Sequence, residues 1–186
     1  MNTDKKQIKE AIRREFKKCA KDPVHFLKRY CYIQHPQKGK IKFALYDYQE
    51  KTLKEFVNKD YNVLLKARQL GISTLTAGYA LWMMTFYDDK NILVIATKQD
   101  VAKNLVTKVR VMHASLPTWL KQKCVEDNKL SLRYKNGSQI KAVASSEEAG
   151  RSEALSLLIL DEAAFIPRID SIWTAASQTL ALGGRC

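Results

Sequence analysis

Two short stretches carry side chains whose types and order suit phosphate chemistry. The first is Lys66-Ala67-Arg68-Gln69-Leu70-Gly71-Ile72-Ser73-Thr74, between a β-rich apolar run, Tyr61–Lys66, and an amphipathic helical pattern. A phosphate-binding loop of the form GxxxxGK[ST] belongs at such a junction. Its glycines let backbone N–H groups wrap the phosphates, its lysine reaches the terminal oxygens, and its hydroxyl serves Mg²⁺. Gly71 and Ser73 match that pattern. Ile72 stands at the lysine position and Lys66 at the first glycine, so the ammonium would have to reach the phosphates from the end of the preceding strand. Taken alone, an ordinary strand-to-helix turn explains the loop as well.

The second stretch is Ser156-Leu157-Leu158-Ile159-Leu160-Asp161-Glu162. An apolar strand ending in two acids can deliver one carboxylate to a Mg²⁺ shell and the next to an attacking water. It can also simply supply acidic residues to the start of a following helix. The two stretches occur in the order, and on the element types, that nucleotide hydrolysis requires, which is harder to obtain by accident than either alone.

The elements needed to position them are legible from hydrophobic periodicity. Leu75, Tyr79, Trp82, Met83 and Phe86 form a helical stripe; Asn91–Ala96 is a buried strand; Val101, Leu105, Val109 and Met112 mark a second helix. Strand, helix, strand, helix predicts a parallel α/β sheet. Leu130–Tyr134 and Gln139–Ala144 flank Asn136-Gly137, a hairpin signal, and are expected to decorate the sheet. Leu155–Leu160 reads as a central strand, and a last helix is expected around Ser171–Leu180. Upstream, Ile8, Ala11, Ile12, Phe16 and Cys19 place a narrow apolar stripe on a basic helix over 5–20. His35-Pro36 and Lys38-Gly39-Lys40 should break regular structure before a short strand, Ile41–Leu45, and a helix from Asp47 or Tyr48 to Val57.

At 186 residues and 46% hydrophobic composition the chain has about one domain's length and enough apolar material for a core, which excludes collagenous or wholly disordered classes. No run of about 18 apolar residues predicts a membrane span. Cys19, Cys31, Cys124 and Cys186 lack a CxxC pair, and Cys19, His25, Cys31 and His35 lack the tight spacings of a zinc site. Lys and Arg exceed Asp and Glu by 32 to 19, a net charge of +13. Residues 1–42 hold thirteen basic side chains against four acidic ones. Such a field favours a polyanion; a solvated helix face is the other explanation.

From about Tyr30 to Arg185 the sequence resembles the large terminase subunits of tailed bacteriophages, most closely the T4-like type. Lys66–Thr74 is similar to the branch of the family's phosphate loop that moves the lysine to the front. Leu45-Tyr46-Asp47-Tyr48-Gln49 resembles its adenine-recognition motif, Ala144–Arg151 its arginine-bearing loop, and Asp161–Pro167 its acidic strand end with the aromatic follow-on. The resemblance implies a P-loop ATPase of the additional-strand catalytic-glutamate kind, α/β with a mainly parallel sheet. The basic helical arm would occupy 1–42 and the ATPase core 43–186. The family's Thr-Pro-Asn-Gly coupling strand would follow Gly183-Gly184-Arg185, and its nuclease domain is not in this sequence, so the core is expected to be incomplete at its C-terminus.

The roles implied are ATP and Mg²⁺ binding and hydrolysis. Tyr46 and Gln49 would meet the base, and Lys66, Arg68, Gln69, Gly71, Ser73 and Thr74 the phosphates. Ser73 and Asp161 would serve Mg²⁺, and Glu162 the lytic water, with Arg68 acting in cis. Arg151 would serve as an arginine finger, in trans because its loop should enter the acidic strand at the end opposite the carboxylates; alternatively it pairs with Glu147, Glu148 or Glu153. The implied partners are double-stranded DNA, a homo-oligomeric ring, portal and the small terminase subunit, in the host cytoplasm at the procapsid. A superfamily 2 helicase is the alternative enzyme, though Ala164 departs from its usual acidic motif. A nucleic-acid-binding fragment with a decayed phosphate loop is the non-enzymatic alternative.

Overall fold

A computed structural model describes residues 2–145, 154–181 and 183–186, with side chains from Lys5 onward. Two helices lead, α1 (Asn2–Lys21) and α2 (Pro23–Tyr30). Asp22 caps α2, its side chain accepting from the His25 N–H, with Pro23 at the first helical position, where its missing N–H costs nothing. This Asp-Pro start signals a helix that apolar periodicity alone does not reveal. The expected break at His35–Lys40 is instead the turn of a hairpin, β1 (Tyr32–His35) with β2 (Gly39–Lys42), and Gly39 takes the positive φ that the turn needs. Helix α3 (Asp47–Asn58) follows.

The main sheet has the order β4-β5-β6-β3-β7. Its parallel part joins β3 (Asn91–Ala96) to β6 (Gln139–Ala144) on one side and to β7 (Leu157–Asp161) on the other. β4 (Cys124–Asp127) and β5 (Ser131–Tyr134) add an antiparallel edge. The Asn136-Gly137 hairpin therefore does more than decorate, because its second strand is an integral parallel strand beside β3. Side chains alternate across the sheet as a two-sided core requires. Ile92, Val94, Ala96, Leu157 and Ile159 face α4 (Ile72–Phe86) and α5 (Gln99–Ser115), whereas Leu93, Ile95 and Leu158 face α6 (Ile169–Leu180).

The run Tyr61–Lys66 departs from its expected place as a buried strand. It is extended without a strand ladder, and Val63 and Leu65 are 101% and 104% exposed. The chain beyond Gly184 supplies the physical reason. Arg185 bridges Leu157 in parallel, Cys186 N donates to Asp60 O and Asn62 N donates to Cys186 O, both at 2.8 Å. Residues 185–186 thus lie between β7 and the start of the 61–66 run. Past that point no strand among the described residues separates the two and the run has no ladder, its one ring contact being that of Tyr61, at the start, edge-on to Trp173 at 6.0 Å. Arg185 also pins the end of α3, donating to the carbonyls of Phe56 and Val57 at 3.0 and 2.7 Å.

The root of α1 is fixed by a polar hub. His25 Nε2 and Tyr30 Oη donate to Glu15 Oε1 at 2.7 and 2.9 Å, Arg29 lies 3.4 Å away, and Trp82 Nε1 donates to the Cys19 carbonyl at 2.9 Å. Chiefly through the His25 hydrogen bond, with Tyr30 and the nearby charges adding to it and burial opposing, the Glu15 carboxyl is held below its ordinary value of 4.5. A depressed carboxyl contributes stability that is present above its unfolded pKa and is lost as pH falls through the folded one. We expect wild-type stability to decline below pH 4.5 more steeply than that of Glu15→Gln, as measured by urea unfolding across that range; parallel curves would refute the coupling.

Candidate functional site

The carboxyl ends of parallel strands and the N-terminus of α4 meet at one edge of the sheet, where ligands of open α/β sheets bind. Asp161 ends β7 opposite Ala96 of β3. Ser73, in the first turn of α4, donates from Oγ to Asp161 Oδ1 at 3.2 Å. The hydroxyl of the first motif and the first acid of the second, 88 residues apart, are thus in contact. Both are oxygen donors of the kind hard divalent cations accept.

The loop before α4 is shaped for an anion. Gln69 and Gly71 take left-handed φ values of 64° and 68°. None of the N–H groups from Ala67 to Ser73 donates to a protein acceptor among the described residues. Such successive free amides at a helix N-terminus form a concavity of positive potential. Ile72, at the usual lysine position, is buried in the core, so an apolar residue there anchors the helix start. Lys66 and Arg68 are the exposed cations of the loop, and neither has an ion pair among the described residues. Thr74 lies in the same first turn, its N–H closing on the Gly71 carbonyl at 3.1 Å.

Gln49 is buried beneath this loop. Its Oε1 accepts from the Tyr46 N–H at 3.1 Å and its Nε2 donates to the Leu70 carbonyl at 3.0 Å. Both ends of the amide therefore tie the start of α3 to the phosphate-loop backbone. Tyr48 adds a bond sequence reasoning missed, its hydroxyl donating to the same Leu70 carbonyl at 2.9 Å. The only sequence signal for it is its place between Tyr46 and Gln49. The exposed ring of Tyr46 stacks on Tyr48 at 5.7 Å and 7°, leaving a flat aromatic surface beside the loop.

Glu162 is exposed and holds a left-handed backbone, φ 55°, at the entry to a 3₁₀ turn, Ala163–Phe165. A non-glycine residue in that region costs on the order of 1–3 kcal/mol and is typical of functional positions. Arg151 and the acids at 147, 148 and 153 lie outside the described residues. Their flanks bear on the expectation that the loop enters from the far end. Ser145 N donates to Ala96 O, so the segment leaves β6 at the carboxylate end, and Ala154 receives it at the opposite end, where its carbonyl accepts from Asn91.

The fold is that of a P-loop NTPase, a mostly parallel sheet with the candidate loop opening α4 and the acidic pair ending β7. The family described as terminase large subunit, T4-like-virus type, N-terminal, matches residues 63–185, and the chain belongs to it. Solved structures agree on the fold. The HK97 bacteriophage large terminase superposes with a TM-score of 0.68 at 20% identity, covering 86% of this chain and 35% of that one. The large terminase ATPase domain of Thermus phage P74-26 gives 0.57 at 21%, covering 72% and 61%. A large terminase from a thermophilic bacteriophage in complex with ADP gives 0.58 at 16%, covering 76% and 37%. This chain thus spans between about a third and three-fifths of the proteins it matches.

Gly71 offers a direct check of the loop geometry. A Cβ there would lie 2.8 Å from Gln49 Nε2, whereas at Gly39, with nearly the same φ, nothing lies within 4 Å. Gly39→Ala should cost only the left-handed strain, about 1–2 kcal/mol. Gly71→Ala should cost measurably more in denaturant unfolding; equal costs would place Gln49 elsewhere.

Proposed function

We propose that this chain is the ATP-binding and hydrolysing part of a packaging motor that drives double-stranded DNA into a procapsid. The observation that carries this reading is the Ser73–Asp161 contact beside a loop of free amides. The donor set suits Mg²⁺, since a hydroxyl and a carboxylate are hard oxygen ligands that leave room for phosphate oxygens and water. Ser73 and Asp161 would hold Mg²⁺, which when bound neutralises phosphate charge. The ADP held by one structural neighbour supports a nucleotide in this fold.

The chain's own residues divide the work by position. Amides of Ala67–Ser73 receive phosphate oxygens, with Thr74 closing the turn. Lys66 and Arg68 bring mobile positive charge to the same oxygens from the loop's exposed side. Tyr46 offers its ring face to the base, while Gln49 and Tyr48 hold the loop in register. Glu162, next in the chain to Asp161 and open to solvent, orients a water for attack and takes its proton. Arg151 supplies charge to the transition state, in cis or from a neighbouring subunit of a ring. Portal and the small terminase subunit are the assembly partners this reading implies, in the host cytoplasm. No helix among the described residues is long and apolar enough to cross a membrane.

The test separates binding from chemistry. Lys66→Ala should weaken Mg²⁺-dependent ATP binding at least tenfold in isothermal titration, with Lys66→Arg recovering part of it. Glu162→Gln should bind ATP normally and hydrolyse none. Undiminished affinity in Lys66→Ala would remove the lysine from the phosphate site.

A further inference from the structure

Helix α1 is anchored at one end only. Phe16 packs edge-on against Phe86 at 5.0 Å, Cys19 is fully buried and the Glu15 hub locks the root, yet from Lys5 to Arg14 every residue is exposed on all sides. About three turns of helix thus project from the body. A free segment of that length is marginal in water. From Lys5 to Arg14 five cations accompany a single acid, Glu10. Lys5, Lys9, Arg13, Lys17 and Lys21 recur at i+4, the spacing at which like charges destabilise a helix. Lys5 and Lys6 also crowd the N-terminal end, where the helix dipole already disfavours cations. None of the five ridge residues has an ion pair among the described residues.

We propose that this ridge is a binding surface for the phosphate backbone of duplex nucleic acid, which would relieve both penalties. At 1.5 Å per residue the ridge is about 24 Å long, and a duplex presents one charge per roughly 1.7 Å of its axis. The exposed apolar residues do not compete for this role. Ile8 and Ile12 share the i+4 spacing of the ridge and run beside it, each about 100° round the helix from the ridge cation that follows it, Lys9 and Arg13. The isoleucine row thus keeps a constant offset from the cations, so a ligand held by Lys9, Arg13 and Lys17 need not cover Ile8 and Ile12. A partner protein would be expected to seat on them, and a second copy of the chain would meet a ridge of the same sign. The proposal deepens the motor reading by naming a DNA-contacting element, but its test uses no nucleotide, so the two can fail separately.

A labelled 30-base-pair duplex is titrated with this chain at several salt concentrations. Lys5→Gln/Lys9→Gln/Arg13→Gln should bind at least tenfold more weakly at 0.1 M salt. The slope of log affinity against log salt should fall by about 2 to 3, since each lost phosphate contact removes about 0.9. The exposed Lys123→Gln/Lys129→Gln/Lys135→Gln variant, with the same loss of charge, should change both far less. Equal losses from the two triple variants would reduce the effect to net charge and overturn the proposal. So would a comparable loss from Ile8→Ser/Ile12→Ser, or binding of polyglutamate as tight as that of the duplex, since either would indicate an acidic protein.

Discussion

The hydrogen bond between Ser73 and Asp161 depends on three elements holding one relation. β7 must run parallel to β3 in the register that sets Asp161 beside Ala96, α4 must begin at that same sheet edge, and the loop before α4 must turn without obstructing the carboxylate. The alternating core on both faces of β3 and β7 fixes the first condition, because a one-residue slip would turn Leu158 and Ile95 onto the wrong side. Burial of Ile72 and Leu75 fixes the second. Left-handed Gln69 and Gly71, braced from below by Gln49, meet the third. Hydrophobic packing thus aligns two polar groups that sequence separates by 88 residues.

Local costs concentrate at this edge. Gln69 and Glu162 are non-glycine residues at positive φ, one on each motif, and the free amides between Ala67 and Ser73 forgo intramolecular bonds. A packed interior would not sustain such an arrangement, but at a helix N-terminus it pre-orders donors toward a site that a polyanionic ligand can occupy. Ile72 is buried and anchors the helix start, whereas the cations Lys66 and Arg68 stand exposed on the loop's outer side.

Much of this was legible in the sequence because it is written in period and punctuation. The helical stripe of Leu75, Tyr79, Trp82 and Met83, the apolar runs ending at Ala96 and Asp161, and Asn136-Gly137 each encode an element locally. Pairing is not local. Nothing in Gln139–Ala144 announces that it lies parallel to β3, and nothing in Tyr61–Lys66 announces that its neighbours reach only to Asn62, so a β-rich run with good propensity stands exposed. Side-chain bonding is equally hidden. Gln49 was expected at a base, and only three-dimensional placement reveals that both ends of its amide hold backbone. The hub at Glu15 likewise uses His25 and Tyr30, which no motif links.

The central claim is that Ser73 and Asp161 act as one unit on a nucleotide. A double-mutant cycle of Ser73→Ala and Asp161→Asn, read as the Mg²⁺-dependent increment in ATP affinity, tests it most directly. Either substitution should abolish most of the increment and the double variant should lose little more, a coupling of about 1 kcal/mol or greater, as expected of residues in contact. Losses that simply add, or a wild-type affinity indifferent to Mg²⁺, would contradict the account.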